Sequence, residues 1–258
     1  MATLLAPDPA MIESPGHARR VVVVLLLTWF LANSLTHAVV AALTGRIYYQ
    51  LSLHALLAAE ASISLLNFLL PVLVVRYVLG ERNSFSTAFG WQWTGWRVFL
   101  TAAGGFAAFI GLSLAANWLF GGQTIQYGFR GMAGPSSRFD YLLYTLMLVA
   151  CPALGEETMF RGFLQPRLAA VWGTAAGVLA TAALFALRHH PSDIYFGVIN
   201  GVPLAGWVNR AVQLYGGAIV FGLVRLVARS TWASWMLHMM IIALILIVGG
   251  FLQGLFGR

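Results

Sequence analysis

The sequence predicts an all-α fold, a polytopic membrane helix bundle of about 7–8 transmembrane helices. Two features of its composition point that way: 60% of the 258 residues are hydrophobic, and only 9% are charged. A soluble domain carries nearer a quarter of charged residues. The third observation is that several apolar segments reach the ~20 residues that a helix needs to cross a hydrocarbon core. Lipid is therefore the simplest solvent for this chain.

The apolar segments follow one another closely, which indicates one membrane domain. The first apolar run extends from residue 21 to about Thr44. This run is longer than a signal-peptide core of about 7–15 residues, so we expect it to be a retained helix. The stretch 191–211 is ambiguous, because Pro191 and Asn209 lie among apolar residues; it could be an eighth helix near 194–210, or a re-entrant or interfacial segment. The segments span residues 21–44, 52–79, 96–120, 139–165, 171–188, 212–228 and 231–253.

The charge pattern excludes some function classes. The net charge is +7 and all 15 basic residues are arginines, many of them near the ends of apolar runs. That pattern is typical of the positive-inside signal and of contact with anionic head groups, and it slightly favours an N-terminus inside. Nucleic-acid binding would need a clustered basic face, which the sequence lacks. Cys151 is the sole cysteine, so neither an internal disulfide nor a cysteine-rich metal site is available.

The acidic pair Glu156-Glu157 inside an apolar segment is the best candidate for the chemistry, since ionisable residues in membrane helices usually mark function. On a helix Glu157 and Arg161 are i,i+4 neighbours, so they can form an ion pair. Glu156 points about 100° away, and is left for another partner. It could act as a general base on water. The alternative is that all three residues form a buried ion network that only fixes helix packing.

Two histidines could join this carboxylate. His189 ends the run Phe185-Ala-Leu-Arg-His, with His190 as its competitor, and His238 lies within the last apolar segment. One Glu and two His on three helices suffice to activate a water and to stabilise the oxyanion of a tetrahedral intermediate. The same residue types, two His and one Glu, could also serve as zinc ligands. Because the His-Glu-x-x-His motif is absent, the sequence does not establish a metal.

These residues resemble a known family. The run Pro152-Ala-Leu-Gly-Glu-Glu-Thr-Met-Phe-Arg-Gly162 resembles the Glu-Glu-x-x-x-Arg motif of the CPBP intramembrane proteases, which include the type II CAAX prenyl endopeptidases and the bacterial Abi proteins. Phe185-x-x-x-His189 resembles the second motif of that family, and Phe221-Gly222 and His238 resemble the third and fourth. The motifs follow the family's order across about 139–242, and residues 1–138 carry no such match.

The resemblance implies a role for each matching residue. Glu156 and His189 would activate the water, and His238 would help to form the oxyanion hole. Arg161 would hold Glu157, and Phe185 would support the second motif. The family usually has Asn or another polar residue four positions after the last His, where this chain has Ile242. That departure leaves one oxyanion donor unaccounted for, unless a residue such as Asn200 or Asn209 substitutes; reduced activity is the other interpretation.

The expected organisation has three parts: a polar segment (1–20), accessory transmembrane helices (21–138) and a catalytic CPBP-like core (139–258). We expect an intramembrane endopeptidase of the bacterial cytoplasmic membrane. Its partners would be a membrane-protein or peptide substrate and the lipid bilayer, with no nucleic acid. No cofactor is favoured, although zinc is not excluded.

Two other functions stay open. A non-catalytic scaffold or bacteriocin-immunity protein on the same fold is favoured by Ile242. A small transporter would use Glu60, His54 and His37 as a proton path, although the same residues could simply form hydrogen bonds between helices.

Overall fold

The computed structural model describes residues 15–45, 53–122 and 152–252, and within these ranges all regular structure is helical. The predicted all-α class is therefore confirmed for the described part of the chain. The helices are α1 (Pro15–Thr44), α2 (Leu53–Leu73, continued by a π-helical turn at Val74–Val78), α3 (Phe85–Ala88), α4 (Arg97–Leu119), α5 (152–172), α6 (Thr174–Ile199), α7 (Leu204–Ala228) and α8 (Thr231–Leu252).

The first helix begins before the apolar run that predicts it. Its first residue is Pro15, which suits a first helical turn because the N–H that proline lacks would have no partner within the helix there. Arg19 and Arg20 therefore belong to α1. Residues 1–14, the rest of the expected polar segment, lie outside the described residues, as does Cys151.

The ambiguous stretch 191–211 is neither a separate helix nor a re-entrant segment, which corrects that expectation. Helix α6 continues through Pro191 to Ile199, and α7 begins at Leu204. Pro191 is exposed, so its ring and the missing hydrogen bond disturb no core packing. Gly201 turns the chain between the two helices with a φ of 58°.

Helix α5 lies at the centre of the bundle. Its middle part is a π-helix at Thr158–Leu164, which packs against α2, α6, α7 and α8. Met159, Phe160, Phe163 and Leu164 have no exposed surface. All seven residues of this segment are buried, Arg161 among them, so the segment forms the core around which the other helices pack. Further contacts join α1 to α2, α4 to α7 and α8, and α6 to α7.

The loop between α2 and α4 closes one end of the bundle by binding the turn between α7 and α8. The N–H and the hydroxyl of Thr231 donate to the carbonyls of Gly90 and Phe89, at 2.8 and 2.7 Å. The hydroxyl of Ser230 donates to the carbonyl of Gln92 at 2.5 Å. These bonds satisfy buried backbone acceptors and fix where α8 enters the bundle.

A bidentate ion pair ties α5 to the same loop. Arg167 Nε lies 2.9 Å from Glu81 Oε1, and Arg167 Nη2 lies 2.7 Å from Glu81 Oε2. Arg167 also donates to the carbonyls of Gly162 and Phe163. Because the parallel fork satisfies both carboxylate oxygens, the pair is tolerated although both side chains are buried.

Four described helices contain stretches long and apolar enough to cross a membrane, and Thr231–Leu244 is a shorter apolar stretch. The predicted total of 7–8 transmembrane helices is not confirmed by this number. The four stretches are Ala18–Thr44, Ala58–Val78, Arg97–Leu119 and Leu204–Ala228.

Candidate active site

The acidic pair sits where α5 changes from α-helical to π-helical. Glu157 is the residue that precedes the π-helix Thr158–Leu164, in which hydrogen bonds run from i to i+5. Sequence reasoning missed this segment, because nothing in a single run of residues signals a π-turn. Short π-helical insertions occur frequently at functional sites. The ion pair predicted between Glu157 and Arg161 is present, with Oε1 3.1 Å from Nη1.

Arg161 is sealed within the protein. Neither Arg161 nor Glu157 has exposed surface. The guanidinium carbon lies 4.7 Å from the ring centroid of Phe185 and 4.8 Å from that of Phe221. Arg161 Nη2 also donates to the carbonyl of Ala218 at 3.3 Å. Aromatic faces and hydrogen bonds thus replace water around this cation.

His238 of α8 lies between the two glutamates. Its Nδ1 is 3.0 Å from Glu157 Oε1, and its Nε2 is 3.8 Å from Glu156 Oε2. An ionised carboxylate beside Arg161 can only accept hydrogen bonds, so Nδ1–H is the donor in the shorter contact. The contact orients the imidazole, whose ring centroid lies 5.1 Å from that of Phe221, and directs Nε2 towards Glu156.

Glu156 pairs with an arginine that sequence reasoning did not assign to the site. Its Oε1 forms a salt bridge with Nη1 of Arg188 on α6. The sequence analysis treated Arg188 only as one of the charges near helix ends. Its place beside His189 in an apolar segment was the available signal, because a cation there needs an acidic partner.

His189 is oriented by its own helix. Its Nδ1 lies 2.9 Å from the carbonyl of Phe185, and the two rings are 4.7 Å apart. A carbonyl only accepts, so the proton is on Nδ1, and Nε2 of the neutral ring carries the lone pair. The competing His190 is different: its side chain is 42% exposed and lies 3.9 Å from Asp193.

One cavity of about 560 Å³ brings the candidate residues together. Glu156, His189 and His238, from three different helices, all line it, whereas His190 does not. Arg188 and Phe185 contribute to the same wall. The sequence named these residues individually, and their meeting in one cavity is a property of the tertiary structure.

The residues considered as substitutes for the missing oxyanion donor do not line this cavity. Ile242 does line it, and it adds an apolar side chain without a donor. Asn209 is buried and donates to Asn117 Oδ1 at 2.9 Å. Asn200 is exposed near the turn between α6 and α7.

The three residues considered as a proton path for a transporter do not all lie at the same place. His37 and Glu60 line the same cavity, whereas His54 is exposed and does not. The path is therefore not a separate feature of α1 and α2, because two of its three members face the cavity of the candidate site.

In the described parts of the chain, the candidate donors are not grouped as metal ligands. Within residues 15–45, 53–122 and 152–252, no three His, Cys, Asp or Glu side chains are placed to share one ion. The Nδ1 of His238 is occupied by Glu157, and Oε1 of Glu156 by Arg188. We derive no chemical step from a metal.

One family model matches the part of the chain that contains these residues. Residues 138–244 match the family model described as type II CAAX prenyl endopeptidase Rce1-like. This segment is an Rce1-like domain. No curated protein and no solved structure matches the chain.

The Rce1-like domain spans the two glutamates, Arg161, His189 and His238, and it leaves α1, α2 and α4 outside. Its family, CPBP, is the one that the sequence motifs resemble, so the expected resemblance is confirmed. Together with the helices long enough to cross a bilayer, the match over residues 138–244 supports an integral membrane protein with a segment similar to this protease family.

Proposed function

We propose that this protein is an intramembrane endopeptidase that hydrolyses a peptide bond of a membrane-associated protein or peptide. The observation that carries the proposal is the meeting of Glu156, His189 and His238 in one cavity. A carboxylate and a neutral imidazole are the two side chains best suited to accept a proton from water near neutral pH.

In the proposed mechanism, Glu156 and His189 activate the water. Glu156 Oε1 is held by Arg188, which leaves Oε2 for the water. His189 presents Nε2, because its Nδ1–H is bound to the carbonyl of Phe185. The water transfers a proton to this pair while its oxygen forms a bond to the carbonyl carbon. The tetrahedral intermediate then carries the negative charge on the former carbonyl oxygen.

His238 is proposed to stabilise that oxyanion through Nε2–H. Since Nδ1–H already binds Glu157, donation from Nε2 requires the doubly protonated ring, for which the carboxylates of Glu157 and Glu156 are suitable neighbours. When the intermediate collapses, the C–N bond breaks, the proton taken from water passes to the leaving amine, and the acid product retains the water oxygen.

The alternative is a non-catalytic scaffold or bacteriocin-immunity protein on the same fold. The apolar Ile242 in the cavity wall is the observation that favours it, because the side chain contributes no donor for an oxyanion. We further propose the bacterial cytoplasmic membrane as the location, following the Abi proteins that the motifs resemble.

Purified protein in lipid nanodiscs would test the proposal, with lipid-modified CAAX-type peptides and their unmodified counterparts as candidate substrates. We expect the wild type to cleave at least one of them, and Glu156→Gln to abolish cleavage. Glu60→Gln is the matched control, because Glu60 is another carboxylate in the same cavity; it should retain activity within a few-fold. Wild-type cleavage no faster than that of Glu156→Gln across both peptide sets would refute the endopeptidase.

A chelator in the same assay tests the proposed metal independence. We expect the rate of cleavage to be unchanged after prolonged incubation with EDTA and removal of the complexed ions. Loss of activity that added zinc restores would contradict the glutamate-and-histidine mechanism.

A further inference from the structure

A chain of buried polar side chains connects the candidate base to two helices outside the Rce1-like domain. Arg188 binds Glu156 through Nη1, and its Nε donates to Oδ1 of Asn33 on α1 at 2.8 Å. The same oxygen accepts from Nδ2 of Asn67 on α2 at 3.3 Å. Asn67 has no exposed surface and Asn33 keeps 9%.

The orientation of the Asn33 amide is set by its own helix. Its Nδ2 donates to the carbonyl of Trp29 at 2.8 Å, so the oxygen must face the opposite way, towards Arg188. Asn67 is held likewise, since its Nδ2 also donates to the carbonyl of Ile63 at 3.0 Å. The acceptor that Arg188 meets is therefore preorganised rather than a side chain that happens to lie nearby.

We propose that Asn33 is a positioning residue, which holds Arg188 and through it the carboxylate of Glu156. This inference rests on the proposed function, and it adds that α1 and α2 complete the active site. A guanidinium that donates from Nε to one partner and from Nη1 to another has its plane fixed by the two contacts. The carboxylate oxygen opposite Nη1 is then held in one place.

The expected effect follows from geometry. A misplacement of about 1 Å can cost about 10²-fold in rate. Loss of Asn33 leaves the salt bridge itself in place and removes one of the contacts that fix Arg188. We therefore expect Asn33→Leu to lower kcat about tenfold, and to change KM less than twofold, because Asn33 does not line the cavity.

A double-mutant cycle with Asn33→Leu and Arg188→Lys tests whether Asn33 acts on Glu156 through Arg188. Lysine keeps the positive charge but cannot donate to Asn33 and Glu156 through one planar fork. If Asn33 acts through Arg188, the double variant should have the kcat of Arg188→Lys alone. The proposal is wrong if the fold-loss of kcat in the double variant equals the product of the fold-losses in the two single variants.

Asn33→Asp and Thr28→Val complete the set. Asp keeps an acceptor oxygen for Arg188 but loses the donor to the carbonyl of Trp29, so it should recover part of the kcat that Leu loses. Thr28→Val is the matched control, since Thr28 is buried on the same helix and its hydroxyl donates to the carbonyl of Val24 on that helix; kcat should be unchanged. Equal losses for Leu and Asp at equal melting temperature would contradict a positioning role.

The failure of this proposal is distinguishable from that of the endopeptidase itself. An inactive wild type refutes the endopeptidase, whereas a fully active Asn33→Leu refutes only the positioning. The melting temperatures of the same four proteins in the cycle supply an independent readout: coupling between Asn33 and Arg188 is expected there too, and strict additivity would contradict the contact.

Discussion

Glu156 and Glu157 are neighbours in sequence but occupy different surroundings. Glu157 has no exposed surface and is enclosed by Arg161 and His238. Glu156 lines the cavity, and its cation comes from another helix. Two adjacent carboxylates on one helix thus divide between structure and reaction, because one turns into the packed bundle and the other towards open space. The predictions below test this division.

The largest effect is expected at Glu156. Replacement by Gln removes the base and keeps the size, so kcat should fall by on the order of 10³-fold. The melting temperature in detergent should fall less than with Arg161→Met, because Arg188 loses its ion-pair partner but lines the cavity and keeps 12% of its side chain exposed. Cleavage kinetics and thermal unfolding of the same preparation measure the expected changes in kcat and in melting temperature. A large loss of stability together with normal cleavage would reverse the assignment of the two glutamates.

In contrast to Glu156, Arg161 should matter chiefly for the stability of the protein. Arg161→Met leaves the Glu157 carboxylate buried without its cation, which costs roughly 3–5 kcal/mol of stability. Adding Glu157→Leu removes the orphaned charge, so the double variant should regain most of the stability lost. Its activity should stay low, because His238 has lost the acceptor that orients Nδ1. Thermal unfolding and cleavage rates of the two variants provide the measurement, and a double variant less stable than Arg161→Met would contradict this view.

Gly155 tests the packing that places both carboxylates. A Cβ built on Gly155 would lie 3.0 Å from the carbonyl carbon of Ser64 on α2. Backbone cannot yield as a side-chain end can, so Gly155→Ala should destabilise the protein by about 1–3 kcal/mol. Gly104→Ala on α4 is the control, because no atom of the described residues lies within 4 Å of the position of its Cβ. Equal melting temperatures for the two variants would show that α2 and α5 do not approach so closely.

The smallest effect is expected at His190. Its side chain is 42% exposed and does not line the cavity, so His190→Ala should change the cleavage rate less than twofold. His189→Ala should lower it by about 10²-fold or more. Cleavage rates of the two variants, measured side by side, show which of the two histidines takes part in the reaction. A larger loss for His190→Ala than for His189→Ala would assign the role to His190.

The sequence by itself determined the membrane class and the all-helical fold of the described residues, and it named candidate residues for the site. Few charges and long apolar runs leave lipid as the solvent, and the order of the Glu, Arg and His motifs indicates the protease family. The Glu157–Arg161 pair was also predictable, because it depends on i,i+4 spacing alone. The predicted roles of Glu156, His189 and His238 stay predictions.

Only the tertiary structure decided which groups surround these residues. The salt bridge from Arg188 joins positions 32 residues apart, and the bond from Arg188 to Asn33 joins positions 155 apart. Neither has a local pattern, because no helical period relates residues on different helices. Helix packing likewise decided that Glu156 faces a cavity while Glu157 is sealed: the direction of a side chain follows from its own helix, but what lies opposite follows from where the other helices pack.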